Sequence, residues 1–232
     1  VTEGNIGSAR IIKMLNVHDD QLVVDSKGIY SIENYLTSRR LMYWQVYLHK
    51  TAVAYEKVLI NALTRAKHLV NEGHKLFATP ALSYFLNNDV NRAWFYEHDE
   101  ALKMYECLDD NDIWSSLKVW ANHDDKILST LSCDMINRNI FKVEVYDEPI
   151  SENRISEIRH GIAKKFAIEE KDTSYMISVN TIQKDMYDTN DDKITILYKD
   201  GTTKDISKAS EILNMQLLSK KIRKYYLCYQ RI

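Results

Sequence analysis

From Ser31 to Glu72 the chain runs without a single Gly or Pro. That is too long for a strand, and nothing in it breaks a helix. The run predicts one long helix, with Ser31 as its N-cap and Gly73 as its stop. Its middle, YLTSRRLMYWQVYLHKTAVAY from Tyr35 to Tyr55, departs from the usual division into a charged wet face and an aliphatic dry face. Arg39, Arg40, Tyr43, Trp44, Gln45, Tyr47, His49 and Lys50 are interleaved instead. Cations beside aromatic rings on a rigid rod suit a nucleotide: cations for phosphates, rings for base or sugar. In a regular helix Tyr43 lies about 40° round from Arg39, Tyr47 about 80° and Lys50 about 20°. His49 falls about 160° from Tyr47, so one helix can line a pocket and meet a neighbour. The simpler reading is an interior helix whose rings fill core and whose Arg and Lys side chains snorkel.

Composition fits a globular chain: 45% apolar and 28% charged residues, with only two Pro and six Gly, favour a helix-rich fold. A net charge of -2 gives no pull toward nucleic acid or an anionic membrane. No apolar run reaches the roughly eighteen residues of a membrane span. Cys107, Cys133 and Cys228 are odd in number and far apart, which reads as reduced, buried thiols in the cytoplasm.

Along the chain, Ser8 to Leu15 predicts a short helix, and Gln21 to Asp25 with Gly28 to Tyr30 a hairpin around Ser26-Lys27. Thr79-Pro80 opens a helix to about Leu86. Helices follow over Glu97 to Leu108, Asp112 to Trp120 and Asp124 to Asn137, with Trp94, Phe95, Trp114, Leu117, Val119 and Trp120 as core. From Phe141 the pattern alternates, as a half-buried strand does, up to Tyr146. A helix from Ser151 to about Lys165, strands at Tyr175 to Val179 and Ile194 to Tyr198, a helix at Ser207 to Leu213 and a strand at Lys224 to Gln230 complete the order. That β-α-β-β-α-β order is the one a ferredoxin-like unit has. The expected division is therefore a mainly α region, 1–140, followed by a small α+β subdomain, 141–232.

Three His-Asp pairs occur, His18-Asp19, His98-Asp99 and His123-Asp124. Metal sites need ligands at defined spacing, and neither H-x-x-x-H nor H-E-x-x-H is present. The pairs read as turn and cap residues, with Asp124 or Asp125 the N-cap of the following helix. Asp188-Thr-Asn190-Asp-Asp192 lacks the Gly an EF-hand loop has at position six and reads as a polar loop.

Asp25-Ser-Lys-Gly-Ile-Tyr-Ser-Ile-Glu-Asn, followed by Arg39 and Tyr47-Leu-His-Lys50, resembles the segment after the catalytic core of HD-domain dNTP triphosphohydrolases. Leu108-Asp-Asp-Asn-Asp-Ile-Trp114 and then Arg138-Asn-Ile-Phe-Lys142 match in the same order. The resemblance covers roughly residues 1–145 and is closest to the bacterial branch. It implies the C-terminal portion of a metal-dependent enzyme that converts a dNTP to a deoxynucleoside and triphosphate, a metal-bound hydroxide attacking the α-phosphorus. The divalent metal is implied to sit on residues upstream, none in this portion, so this portion alone is expected to be inactive.

By the same resemblance Arg39 matches the phosphate-contacting arginine and Tyr47 the tyrosine beside the sugar. His49 and Lys50 match interface positions near a regulatory nucleotide site, and Arg138 and Lys142 its phosphate-binding residues. Trp44 and Gln45 stand where the vertebrate branch has arginines. The implied partners are a dNTP substrate, an activating nucleotide such as dGTP and further copies in a homo-oligomer, with no membrane and no nucleic acid. From the residues alone, Arg138 and Lys142 equally read as cations complementing a helix C-terminus. A non-catalytic nucleotide-binding or oligomerisation module is the alternative function. A single-stranded nucleic-acid binder, with Arg39, Trp44 and Tyr47 as stacking platform, is a weaker third.

Overall fold

The long run of helix formers gives two helices rather than one. In the computed structural model, which describes residues 6–184, 187, 193–210 and 222–232, α2 spans Ile29–Met42 and α3 spans Lys50–Asn71. Between them Tyr43–Tyr47 makes a π turn, in which the Leu48 N–H reaches back to the Tyr43 carbonyl at 2.7 Å. Ser31 is not the N-cap; Gly28, three residues earlier in the chain, takes that position and α2 begins at Ile29. Gly73 does end α3, at φ 90°, a conformation glycine adopts without strain.

The chain divides into two compact units, 1–49 with 181–224 and 50–180 with 225–232. The expected boundary near residue 140 is not where the division falls. Helix α3 and the segment 141–180 share a unit, and the chain returns to the first unit for residues 181–224.

In the first unit, α1 (Ser8–Lys13) precedes a hairpin of β1 (Leu15–His18) and β2 (Gln21–Asp25), paired antiparallel from Leu15↔Val24 to His18↔Gln21. The hairpin forms one step earlier than expected. Its turn is Asp19-Asp20, both with positive φ, as a two-residue hairpin turn of matching twist requires. Ser26-Lys27, expected as the turn, lies in a 3₁₀ turn (Ser26–Gly28), and Gly28 to Tyr30, expected as the second strand, leads into α2 instead. Gly28 has no space for a side chain: a Cβ there would lie 2.7 Å from Val24 Cγ1 and 2.9 Å from Met14 Cβ. β5 (Thr195–Leu197) runs parallel to β2, and β6 (Thr203–Asp205) pairs antiparallel with β5, in the sheet order β1-β2-β5-β6. Val24, Ile32, Leu36, Ile196 and Ile206 make the core, the last from the short helix α10 (Ile206–Ala209). The expected end of that helix beyond residue 210, and most of the polar loop including residues 188–192, lie outside the described residues.

In the second unit, α3 packs on α8 (Lys126–Asn137) and α4 (Pro80–Asn87), α7 (Asp110–Trp120) packs on α8 and α4, and α6 (Asp99–Cys107) packs on α4 and α5 (Arg92–Glu97). Side chains close several starts: Asp109 and Asp112 form a capping box on α7, and Asp125 accepts from the Leu128 N–H on α8. Leu117 and Trp120 are core, and Trp120 donates to the Phe77 carbonyl at 2.8 Å. Trp114 and Val119, expected inside, are 40% and 48% exposed, and Trp94 and Phe95 are half-buried. β3 (Lys142–Tyr146) and α9 (Glu152–Phe166) follow, with Ser151 capping α9; β4 (Ile177–Lys184) begins in this unit and β7 (Ile222–Tyr229) ends in it.

The sheet order here is β3-β7-β4. The expected ferredoxin-like sheet therefore does not form among the described residues. The strand at 195–197 joins β2 in the other unit's sheet, because its hydrophobic partner Val24 lies far back in the sequence. Cys228 is buried as expected, but Cys107 is exposed. Among the described residues no helix is long and apolar enough to cross a membrane.

Candidate functional site

The interleaved cations and rings of α2 and the π turn build an ordered row. The Arg39 guanidinium lies 5.9 Å from the centre of the Tyr43 ring, within the range of a cation–π contact. The Tyr43 ring in turn lies 5.4 Å from that of Tyr47, tilted by 48°. Arg39 and Tyr43 are half-buried, whereas Tyr47 is 61% exposed. Tyr43, a residue outside that match, thus contacts each of the two residues matched to a substrate clamp. A fixed planar cation with an exposed ring along the same row can take phosphate oxygens at one end and an apolar sugar or base face at the other.

A second polar hollow of about 380 Å³ opens in the same unit where the parallel strands β2 and β5 end. His18, Asp25, Ser26, Lys27, Leu197, Tyr198, Lys199 and Gly201 line it. The Lys204 ammonium lies 5.3 Å from the centre of the Tyr198 ring. The carboxyl ends of adjacent parallel strands are where open sheets take ligands. Two lysines, a histidine and hydroxyls face this hollow together with the Asp25 carboxylate, so cationic donors for an anion outnumber the one opposing charge. Sequence reading missed it, since Lys27 and Lys199 come together only through the β2–β5 pairing; the one signal was the Asp25-Ser-Lys-Gly segment.

The four residues matched to a regulatory interface are placed separately. His49 and Lys50 are exposed, His49 just after the π turn and Lys50 as the first residue of α3. Arg138 is the exposed left-handed C-cap of α8, φ 58°. Lys142 reaches Glu144 at 3.5 Å and lies 5.6 Å from the centre of the Tyr229 ring. Glu144 gathers more than Lys142: Arg154 Nη2 at 2.9 Å, the Tyr229 hydroxyl at 2.6 Å and the Tyr146 hydroxyl at 2.5 Å. Burial opposes its charge, but the hydrogen bonds from Arg154, Tyr146 and Tyr229 outweigh that and hold its pKa at about 2.

The three His-Asp pairs are structural in their surroundings. His18 Nε2 lies 3.5 Å from Asp19, His98 stacks on Trp94 at 4.0 Å, and the Asp125 N–H donates to His123 Nδ1 at 2.9 Å. Among the described residues no three His, Cys, Asp or Glu side chains gather where a metal ion could sit.

The region that carries the row has known relatives. Residues 6–79 match the family described as the HD associated region. A crystal structure of a phosphohydrolase from Bacteroides thetaiotaomicron VPI-5482 is 62% identical, with a TM-score of 0.93 over 99% of this chain and 57% of that one. The protein YwfO of Bacillus subtilis (strain 168), itself uncharacterized, is 28% identical over 220 residues, 92% of this chain and 48% of its own length. A hypothetical protein from Aquifex aeolicus shares the fold at 21% identity and a TM-score of 0.58, over 96% of this chain and 47% of that one. The chain spans about half the length of the curated relative it matches.

Proposed function

We propose that this chain is the C-terminal, substrate-holding portion of an HD-type phosphohydrolase that hydrolyses dNTPs to deoxynucleoside and triphosphate. The observation that carries the reading is the Arg39–Tyr43–Tyr47 row, inside the segment that matches the HD associated region. In this reading Arg39 holds phosphate oxygens bidentately, which a lysine's point charge does not reproduce, and Tyr47 packs against the sugar. The divalent metal belongs to residues upstream of this chain. An activating nucleotide such as dGTP, with His49, Lys50, Arg138 and Lys142 near a boundary between copies of a homo-oligomer, completes the proposal. The hollow beside Lys27 and Lys199 is a further seat for its phosphates. Lys142 is already engaged by Glu144 and Tyr229, so its part is the least direct.

The test is steady-state hydrolysis of each dNTP by the full-length protein. Arg39→Ala should lower kcat/KM by about 10²-fold or more, the loss expected for charge-assisted phosphate contacts, with Tm little changed. Retained activity with a collapsed Tm would make Arg39 a structural cation and leave the non-catalytic module as the better reading.

A further inference from the structure

We infer that Tyr43 is a positioning residue for this clamp: its ring, in contact with both the Arg39 guanidinium and the Tyr47 ring, fixes where cation and outer ring stand. The inference rests on the clamp reading above and adds the residue through which its two ends act together.

The geometry comes from the backbone. Arg39 and Tyr43 are four apart in the chain, so on α2 they stack one above the other with Tyr43 leading by about 40°. If the α-helix continued, Tyr47 would lead again and stand about 80° round from Arg39, off the row. The bond from the Leu48 N–H to the Tyr43 carbonyl spans five residues instead of four, so this turn holds more residues than an α turn. A residue four further on then lags rather than leads. The two offsets oppose each other, which brings Tyr47 back toward the side of Arg39, and the Tyr43 ring keeps contact with both, 5.9 Å from the Arg39 guanidinium and 5.4 Å from the Tyr47 ring. Single π turns are rare and collect at functional sites, where they re-aim a side chain. Here the side chain re-aimed is Tyr47.

Chemistry explains why the middle residue is aromatic. A guanidinium over a ring keeps its plane and its outward N–H donors, whereas an arginine on bare helix surface samples many rotamers. The same ring also contacts Tyr47, at 5.4 Å between ring centres. Tyr43 therefore need not touch the nucleotide to affect it.

Steady-state kinetics of the full-length protein with dGTP and the other dNTPs tests this. Tyr43→Phe, which keeps the ring, should stay within about twofold of wild type in kcat/KM, and Tyr43→Leu should lose about tenfold, chiefly through KM. In the Arg39→Ala background Tyr43→Leu should cost little more, because its effect runs through Arg39. A merely structural tyrosine would instead give additive losses that follow Tm in both backgrounds, and that result overturns the inference. So does a Tyr43→Leu enzyme within about twofold of wild type while Arg39→Ala is crippled, which leaves the clamp standing. A silent Arg39→Ala removes the clamp and this inference together.

Discussion

Glu144 and Asp134 are carboxylates of one unit driven in opposite directions. Glu144 is surrounded by donors, and its pKa of about 2 means that its contribution is present above the ordinary carboxylate range and lost as pH falls from about 4.5 toward 2. Asp134, 7% exposed on α8, has the Gln230 amide as its hydrogen-bond partner at 2.5 Å. Burial raises its pKa to about 6 against the pull of Gln230 and of the Lys165 charge. A raised carboxyl works the other way: its stabilisation is complete below about 4 and is lost as pH climbs through 6. Thermal melting of the wild type and two variants from pH 3 to 7 separates them. Glu144→Gln should cost about 1–3 kcal/mol at pH 7, the worth of hydrogen bonds to a charged group, and should flatten the acid limb. Asp134→Asn keeps an acceptor for Gln230 without the buried charge, so it should raise Tm by several degrees at pH 7 and change little at pH 4. An Asp134→Asn protein that melts lower than wild type at pH 7 would show that the ionised carboxylate is needed there.

At the scale of elements, α3 and α8 are joined by a nearly buried ion pair. Arg65 and Asp125 meet at 2.7 Å with side chains only 11% and 15% exposed, and Asp125 also caps α8. Asp125→Ala removes the cap and leaves the guanidinium with Asp172 at 3.7 Å and the Tyr175 ring. Breaking such a pair from one side should cost about 3–5 kcal/mol, read by denaturant unfolding. Restoring an acceptor with Asp125→Asn should recover part of that loss. Caps of this kind were legible in the sequence: Asp124 or Asp125 before Lys126-Ile-Leu, Ser151 before α9 and Pro80 at the start of α4 all open helices as expected. The reason is locality, since a cap and its N–H lie within one turn. The break in the long helix was not legible. Tyr43 to Tyr47 contain no Gly or Pro, and helix propensity does not distinguish an α turn from a π turn; the side chains around it decide. The β2–β5 pairing was equally hidden, because alternation shows that a segment is a strand but not which distant strand it joins. The clamp residues were found through resemblance, and the row that connects them appears only once the π turn is seen.

For the whole molecule, the two units divide the features that the proposed enzyme requires. The first unit holds the Arg39–Tyr43–Tyr47 row and the hollow beside Lys27 and Lys199. The second holds α3, Arg138 and the Lys142–Glu144–Arg154 network. Binding groups alone do not make a hydrolase. Phosphoryl transfer also requires an activated nucleophile placed in line with the leaving oxygen. The His-Asp pairs are each occupied in local contacts, and among the described residues no cluster offers a metal site. The expected outcome is therefore that residues 1–232, expressed alone and folded by circular dichroism, release no triphosphate from any dNTP with Mg²⁺ or Mn²⁺. The full-length protein assayed beside them should turn over, and Arg39→Ala should depress that turnover. Chelator-sensitive turnover by the 232 residues would place the catalytic groups inside this chain and move the search to its His-Asp pairs. Inactivity of the full-length protein as well, with dNTP binding retained and lost in Arg39→Ala, would instead identify a nucleotide-binding module built on the same clamp.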